Sequence, residues 1–306
     1  MKTVAAACAA ALAAALAAPS PGAAAMEVQP RQAAIKSRVD VRYHVVAGRA
    51  LHLDVHRLQS SRPTPVLVFV HGGGWSRGAR PPRASFEAAF AMGFSVVAVE
   101  YRLADEAPAP AAVRDVRCAL AWVGREAATL GFDRRHIVVE GASAGGHLVL
   151  LAVAARDDPE FDAGCGRMPA IAAVVDRYGI TDLAAWHPAS GAVDRWLGPH
   201  AGDARYLRQL SPLARLDSRM PPLFIVHGDA DRVVPLAQSQ ALFAAATALG
   251  VPVTLHVVTG GGHGAFDADA TARLDVALRT FLRAQHVPVL DGSPAPLPDA
   301  STGEPP

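Results

Sequence analysis

The stretch HIVVEGASAGGH, residues 136–147, joins an apolar run, a serine between small residues and a glycine pair. Residues 136–139 have the composition of a buried strand, and residues 145–155 continue as an apolar helical pattern. Between them, Gly141-Ala142-Ser143-Ala144-Gly145 matches G-x-S-x-G, where small flanking residues permit a sharp turn from strand to helix. This order predicts that Ser143 presents its hydroxyl at the end of a strand.

Further apolar runs on both sides of this stretch extend the pattern to a whole sheet. They span residues 65–70, 94–99, 171–175, 223–226 and 253–258. Helix-like stretches lie between or after them, at residues 84–91, 111–129, 236–249 and 271–284. Continuous apolar strands that alternate with helices predict an α/β fold with a mostly parallel central sheet and helices on both faces. Residues 40–46 and 50–58 instead alternate polar and apolar side chains around a turn, which predicts an antiparallel hairpin at the sheet edge.

The segment 181–217 lacks this alternation of strands and helices, which predicts a small cap insertion over the carboxyl ends of the strands. An ordinary long crossover is the alternative. We assign residues 26–285 to one domain with this α/β sheet and residues 286–306, which are rich in proline, to a C-terminal tail.

The first 25 residues have the layout of a secretory signal peptide. Lys2 precedes an apolar run over residues 4–18, and three alanines at residues 23–25 offer a small-residue cleavage site. We therefore expect a secreted or periplasmic protein, with an uncleaved alanine-rich helix as the alternative. Beyond this segment the chain holds Cys118 and Cys165, and the sequence leaves open whether they pair.

Composition excludes several classes of function. The formal net charge of +1 with 51% hydrophobic residues does not suit a nucleic-acid binder or a disordered chain. After the leader, no run is long and apolar enough for stable membrane insertion. No zinc-protease, paired-cysteine or phosphate-loop motif occurs, so we expect neither a metal nor a cofactor.

Two stretches supply the partners that a serine nucleophile requires. HGDADRVVP begins at His227 after one strand, and GGGHGAF begins at Gly260 after the next. We expect His263 to act as base and Asp231 to orient it, because the chain order serine, aspartate, histidine is typical of this kind of fold. Asp229 competes with Asp231 for the second role, and either is also suited to cap a helix.

The stretch HGGGW, residues 71–75, follows the strand 65–70 and predicts a loop whose amides point inward. We expect the N–H groups of Gly73 and Gly74 to form an oxyanion hole with that of Ala144. Trp75 and Trp186 are candidates for the substrate pocket, with core packing as the alternative. His147 is expected to pack or cap.

With these motifs together, the chain resembles the α/β-hydrolase superfamily, and most closely its hormone-sensitive-lipase-like and feruloyl or acetyl esterase branch. Supporting stretches are EYRL (100–103), GASAGGH (141–147) and YGITDL (178–183). The resemblance covers residues 40–285 and places the family's acid at Asp231. Ala142 departs from the glutamate that is frequent before the nucleophile.

The resemblance implies an α/β-hydrolase fold and a Ser-His-Asp carboxylic-ester hydrolase for short-chain, aryl or acetyl esters. Its expected partner is a small-molecule or saccharide ester, with no nucleic acid. Two alternatives remain: an amide-cleaving hydrolase such as a peptidase or formamidase, and a non-catalytic binding protein with the same fold.

Overall fold

The computed structural model describes residues 34–187 and 190–291, and a single sheet runs through them. Its strands are β1 (Ile35–Val46), β2 (Arg49–Leu58), β3 (Thr64–Val70), β4 (Ser95–Val99), β5 (Phe132–Ala142), β6 (Ala173–Arg177), β7 (Leu223–Gly228) and β8 (Val253–Val258). They are ordered β1-β2-β4-β3-β5-β6-β7-β8. β2 pairs antiparallel with β1 and β4, and every other pairing is parallel. The predicted edge hairpin and mostly parallel sheet are confirmed.

The helices of the described chain are α1 (Glu87–Ala91), α2 (Ala111–Leu130), α3 (Ala144–Ala154), α4 (Leu183–Trp186), α5 (Gly191–Leu197), α6 (Ala204–Gln209), α7 (Ala237–Ala248) and α8 (Ala268–Ala284). Helix α2 is followed by Gly131, which adopts the left-handed conformation common after helices. Helix α8 begins three residues earlier than its apolar pattern predicts. The reason is Asp267, whose carboxylate accepts the amide hydrogen of Ala270 and caps the helix.

The sheet is buried on both faces, as the continuous apolar strands predict. Along β3, Val66, Val68 and Val70 belong to the core on one face, together with residues of α2 and α3. Leu67 belongs to the core on the other face, with residues of α1 and α8. Helices therefore cover both faces, and each face has its own apolar core.

Three short helices, α4, α5 and α6, occupy the segment between β6 and β7. This is the region predicted as a cap, and its status as a separate insertion over residues 181–217 stays a prediction. It is tied to the main domain by Gln238 of α7, whose side-chain oxygen accepts the amide hydrogens of Thr181 and Asp182 at 2.8 and 2.7 Å.

A disulfide joins Cys118 on α2 to Cys165 in the loop that precedes β6. The structure thus decides a point that the sequence left open. The predicted leader, residues 1–25, and residues 292–306 of the predicted tail lie outside the described residues. Among the helices at 34–187 and 190–291, none combines the length and apolar character that crossing a membrane requires.

Candidate active site

Ser143 occupies the sharp turn between β5 and α3, as its motif predicts. Its backbone has φ 55° and ψ −121°, a conformation that is strained for a residue with a side chain. The surrounding backbone holds this turn, since the Ser143 amide donates to the Arg177 carbonyl at 2.8 Å. Ser143 is thereby fixed at the carboxyl end of a central strand, where it lines a pocket.

The glycines on either side of Ser143 are required by close backbone contacts. A β-carbon on Gly141 would lie 2.3 Å from the Gly145 carbonyl oxygen, and one on Gly145 would lie 2.1 Å from the Val70 carbonyl oxygen. Both distances are far below a normal contact. The turn therefore packs against the end of β3 as tightly as a backbone without side chains permits.

Ser143, His263 and Asp231 form one hydrogen-bonded line. His263 Nε2 lies 2.8 Å from Ser143 Oγ, and His263 Nδ1 lies 2.7 Å from Asp231 Oδ2. A neutral imidazole that donates its Nδ1 hydrogen to Asp231 leaves Nε2 free to accept the serine proton. The structure thus brings together the three side chains that the sequence selected, and their arrangement suits proton transfer from the hydroxyl.

The Asp231 side chain is buried, and both of its carboxylate oxygens accept hydrogen bonds. The second carboxylate oxygen accepts the amide hydrogens of Val233 and Val234 at 2.8 and 2.9 Å. Burial works to raise the pKa of Asp231, but the hydrogen bonds from His263 and from these two amides outweigh it and hold the pKa below its usual range. The competing Asp229 instead accepts the Gly260 amide at 2.6 Å, so it braces the loop that leads to His263.

Two further side chains contact the triad, Tyr178, which was not assigned a role from the sequence, and His227, for which the sequence predicts only local hydrogen bonds at the end of a strand. The Tyr178 ring centre lies 4.7 Å from that of His263, and Tyr178 also lines the pocket. His227 is buried beside the acid, with Nε2 3.3 Å from Asp231 Oδ2. Burial lowers the pKa of His227, so the neutral ring donates from Nε2 to the Val234 carbonyl at 2.9 Å and its Nδ1 accepts from the Ser239 hydroxyl at 2.7 Å. No local motif distinguishes these contacts from ordinary packing.

The glycine loop lies directly beside Ser143. A β-carbon on Gly72 would lie 3.2 Å from Ser143 Cβ, and Gly73 and Gly74 adopt positive φ values of 116° and 58°. Over residues 34–187 and 190–291, no backbone carbonyl accepts the amide hydrogens of Gly73, Gly74 or Ala144. The Ala144 amide is the first of α3, where helices leave their N–H groups unpaired. Three donors near Ser143 are thus available to a ligand.

A pocket of about 620 Å³ opens over Ser143, large enough for a small organic ester. Gly73, Gly74, Tyr178, Trp186 and His263 are among its wall residues. The Trp186 indole N–H donates to the Val233 carbonyl at 3.1 Å, which fixes the orientation of its ring.

Trp75 was the other pocket candidate, and the structure places it in the core instead. It is fully buried, outside the wall of the pocket, and it stacks on Trp196 with ring centres 4.8 Å apart. Its indole N–H donates to His147 Nδ1 at 3.2 Å. The other nitrogen of His147 donates to the Leu210 carbonyl at 2.9 Å, and burial lowers the pKa of His147 to about 4. His147 is therefore a neutral packing residue, as expected.

Known proteins share this architecture. The BD-FAE family matches residues 53–246. Esterase LipQ of Mycobacterium tuberculosis is 32% identical over 238 residues, which cover 74% of this chain and 56% of the relative. Esterase LipC of the same organism is 31% identical over 76% of this chain and 62% of its own length. The chain thus spans little more than half the length of these curated relatives.

Solved structures agree with this relationship. A truncated carbohydrate esterase from gut microbiota superposes with a TM-score of 0.73 at 25% identity, over 84% of this chain and 98% of the other. Esterase 2 of Thermogutta terrifontis reaches a TM-score of 0.67 at 25% identity, over 86% and 96% of the two chains. Because the family match spans most of the sheet and includes both Ser143 and Asp231, the chain belongs to the BD-FAE family, within the hormone-sensitive-lipase-like branch of the α/β-hydrolases.

Proposed function

We propose that this protein is a carboxylic-ester hydrolase that uses Ser143 as nucleophile, His263 as general base and acid, and Asp231 to orient His263. The observation that carries the proposal is the line of hydrogen bonds from Asp231 through His263 to Ser143. Esterases among the relatives and structural neighbours support the same reaction class.

The reaction proceeds in two steps. Ser143 Oγ attacks the ester carbonyl as His263 takes its proton, and the resulting imidazolium is stabilised by Asp231. The oxyanion is held by the amides of Gly73, Gly74 and Ala144, and each such donor lowers the barrier by roughly 3–4 kcal/mol. His263 protonates the departing alcohol, which leaves an acyl group on Ser143. Water then attacks the acyl carbonyl with His263 again as base, and the acid is released.

Short-chain, aryl and acetyl esters are the proposed substrates. The pocket volume of about 620 Å³ suits a ligand of this size, and Trp186 is a wall residue of the same pocket. A saccharide ester is included in this proposal, because one structural neighbour is a carbohydrate esterase.

We also propose that the protein is exported. The leader-like residues 1–25 support this, and so does the disulfide between Cys118 and Cys165, since such bonds persist in oxidising compartments. Expression of the full chain in a bacterial host, followed by fractionation and N-terminal sequencing, tests it. A cytoplasmic protein that keeps residue 1 would contradict export.

Replacement of the nucleophile tests the catalytic proposal. We expect Ser143→Ala to lower kcat on p-nitrophenyl acetate by ~10⁴-fold or more, because the remaining groups provide no covalent step. The same change should abolish labelling by a fluorophosphonate while circular dichroism remains that of the wild type. Labelling that persists in the folded variant, or an anilide hydrolysed faster than its matched ester, would refute the proposal.

A further inference from the structure

The wall of the pocket over Ser143 has charge of one sign. It contains three arginines, Arg77, Arg195 and Arg232, and no lysine, aspartate or glutamate occurs among the described residues that form it. This contrasts with the chain as a whole, in which 29 basic residues nearly balance 28 acidic ones. The excess of positive charge is therefore local to the pocket.

These arginines reach the pocket from three separate segments. Arg77 follows the glycine loop, Arg195 lies on α5, and Arg232 comes directly after the acid Asp231. The Arg77 side chain packs close to the loop itself, since a β-carbon on Gly73 would lie 3.1 Å from Arg77 Cγ. Three positively charged side chains from distant parts of the sequence thus line one cavity.

The guanidinium groups of these arginines are not committed to other partners. Within residues 34–187 and 190–291, none of the three lies within 4.0 Å of a carboxylate. Arg102 and Arg156, by comparison, pair with Asp115 and Asp217 at 2.7 and 2.8 Å. The three side chains are exposed and available to a ligand.

The carboxylates next to Arg232 and Arg195 in the sequence already have other partners. Asp231 hydrogen-bonds to His263 and to two amides, and Asp194 lies 2.6 Å from His187. A cleft with unbalanced charge of one sign attracts ligands of the opposite sign. Guanidinium groups in particular match the geometry of carboxylate and phosphate oxygens.

We propose that the preferred substrate is an ester that carries an anionic oxygen group, a carboxylate or a phosphate, away from the scissile bond. This inference rests on the proposed function. Arg77, Arg195 and Arg232 bind the anionic group at the pocket mouth and increase its rate of capture, while the ester carbonyl reaches Ser143.

Matched acetyl esters test this preference, because they share the group transferred to Ser143. The probes are 3-carboxyphenyl acetate, its neutral analogue 3-carbamoylphenyl acetate, the cationic 3-(trimethylammonio)phenyl acetate, and 3-acetoxyphenyl phosphate. The readout is the ratio of kcat/KM for each charged ester to that for the neutral one. Comparison of this ratio between enzyme variants removes the intrinsic reactivity of each ester.

The variants are Arg77→Gln, Arg195→Gln, Arg232→Gln and their triple combination. Arg273→Gln serves as control, because Arg273 is an exposed arginine of α8 outside the pocket wall. Each pocket substitution should lower the anionic-to-neutral ratio roughly two- to fivefold, as expected for exposed charge pairs, and the triple variant about tenfold or more. The ratio should also fall in 0.5 M NaCl, where charges are screened over a few ångströms.

Several outcomes would overturn the inference: a wild-type ratio equal to that of the triple variant, a preference for the cationic ester, or an equal loss in Arg273→Gln. The phosphate ester carries almost twice the charge of the carboxylate ester at pH 7. A loss on the carboxylate ester at least as large as that on the phosphate ester would therefore identify carboxylate as the group recognised, and a loss confined to the phosphate ester would identify phosphate. If the wild type hydrolyses the neutral ester but does not distinguish it from the anionic esters in kcat/KM, the esterase proposal stands and this inference fails. If no ester is hydrolysed, calorimetric binding of the carboxylate and carbamoyl probes to Ser143→Ala decides the charge preference alone.

Discussion

At the scale of single residues, the structure distinguishes Asp231 from Asp229 as the carboxylate that orients His263. Asp231 contacts His263, whereas Asp229, two positions earlier, contacts the Gly260 amide. An amide in place of the Asp231 carboxylate no longer stabilises an imidazolium and favours the wrong tautomer of His263. We therefore expect Asp231→Asn to lower kcat on the order of 10⁴-fold.

Asp229→Asn is the matched control for this substitution. Its side-chain oxygen is still able to accept the Gly260 amide, so kcat should fall less than about tenfold. Steady-state kinetics on p-nitrophenyl acetate, with thermal unfolding to verify both folds, provides the measurement. If the two variants lost activity equally, the assignment of the acid would be wrong.

A second residue-scale prediction concerns Asp176 on β6, which the proposed mechanism does not use. Its carboxyl is fully buried, with one oxygen accepting the Gly179 amide and the other without a hydrogen-bond partner in the described chain. Burial raises the pKa of Asp176 from 3.8 to about 7. The folded state therefore binds this proton more tightly than the unfolded state does.

By linkage, the Asp176 contribution to the free energy of unfolding is greatest near pH 4, declines as the pH rises towards 7, and then stays constant. Asp176→Asn removes this ionisation, so the variant should gain stability over the wild type across that interval, by on the order of a few kcal/mol. Urea unfolding from pH 4.5 to 8 measures the difference. If the free energy of unfolding changed with pH by the same amount in both proteins, Asp176 would not titrate in this range.

At the scale of elements, the sequence predicts most of the sheet and the turn that carries Ser143. Buried strands of a parallel sheet are apolar throughout, and this local signal locates six of them. The triad candidates could be chosen because each follows such a strand. Trp75 was left open between pocket and core, because an indole in a loop looks the same in sequence in either place. Arg77, Arg195 and Arg232 were not grouped because Arg77 lies 118 residues before Arg195 and Arg232 a further 37 residues on, and they line one pocket only in the folded chain.

The turn between β5 and α3 yields a prediction at this scale. Alanine at Gly145 would place a β-carbon against the carbonyl oxygens of Val70 and His71, which are backbone atoms that have little freedom to move. We expect Gly145→Ala to cost about 1–3 kcal/mol in stability, and to lower kcat/KM by ~10²-fold because Ser143 shifts from His263.

Gly191→Ala, at the start of α5, is the control for Gly145→Ala, because a β-carbon there meets nothing within 4 Å. Chemical unfolding and kinetics on the same ester compare the two variants. Full activity in Gly145→Ala would mean that the turn adapts without displacing the nucleophile.

At the scale of the whole molecule, the disulfide links residues 47 positions apart and constrains the unfolded chain. The sequence did not decide this pairing, since the loop around Cys165 has no periodicity that fixes its position relative to α2. A loop of this length corresponds to about 4 kcal/mol in the chain-entropy description. The double variant Cys118→Ala/Cys165→Ala should therefore unfold roughly 10 °C below the wild type.

Calorimetry of the double variant, and of the wild type with and without a reducing agent, measures this effect. Reduction should shift the wild type towards the variant and leave the variant unchanged. Identical melting temperatures in all samples would show that the bond contributes nothing to stability.

The reacting groups and part of the pocket wall lie on different elements, the strand ends and the short helices before β7, and this has a practical consequence. Ser143, Asp231 and His263 are positioned by the main sheet, whereas Trp186 and Arg195 belong to α4 and α5. Mutant libraries limited to residues 183–197 would thus vary which esters are accepted and leave the reacting groups in place. For the same reason, we expect substitutions in this segment to change the range of bound ligands before they change the reacting groups.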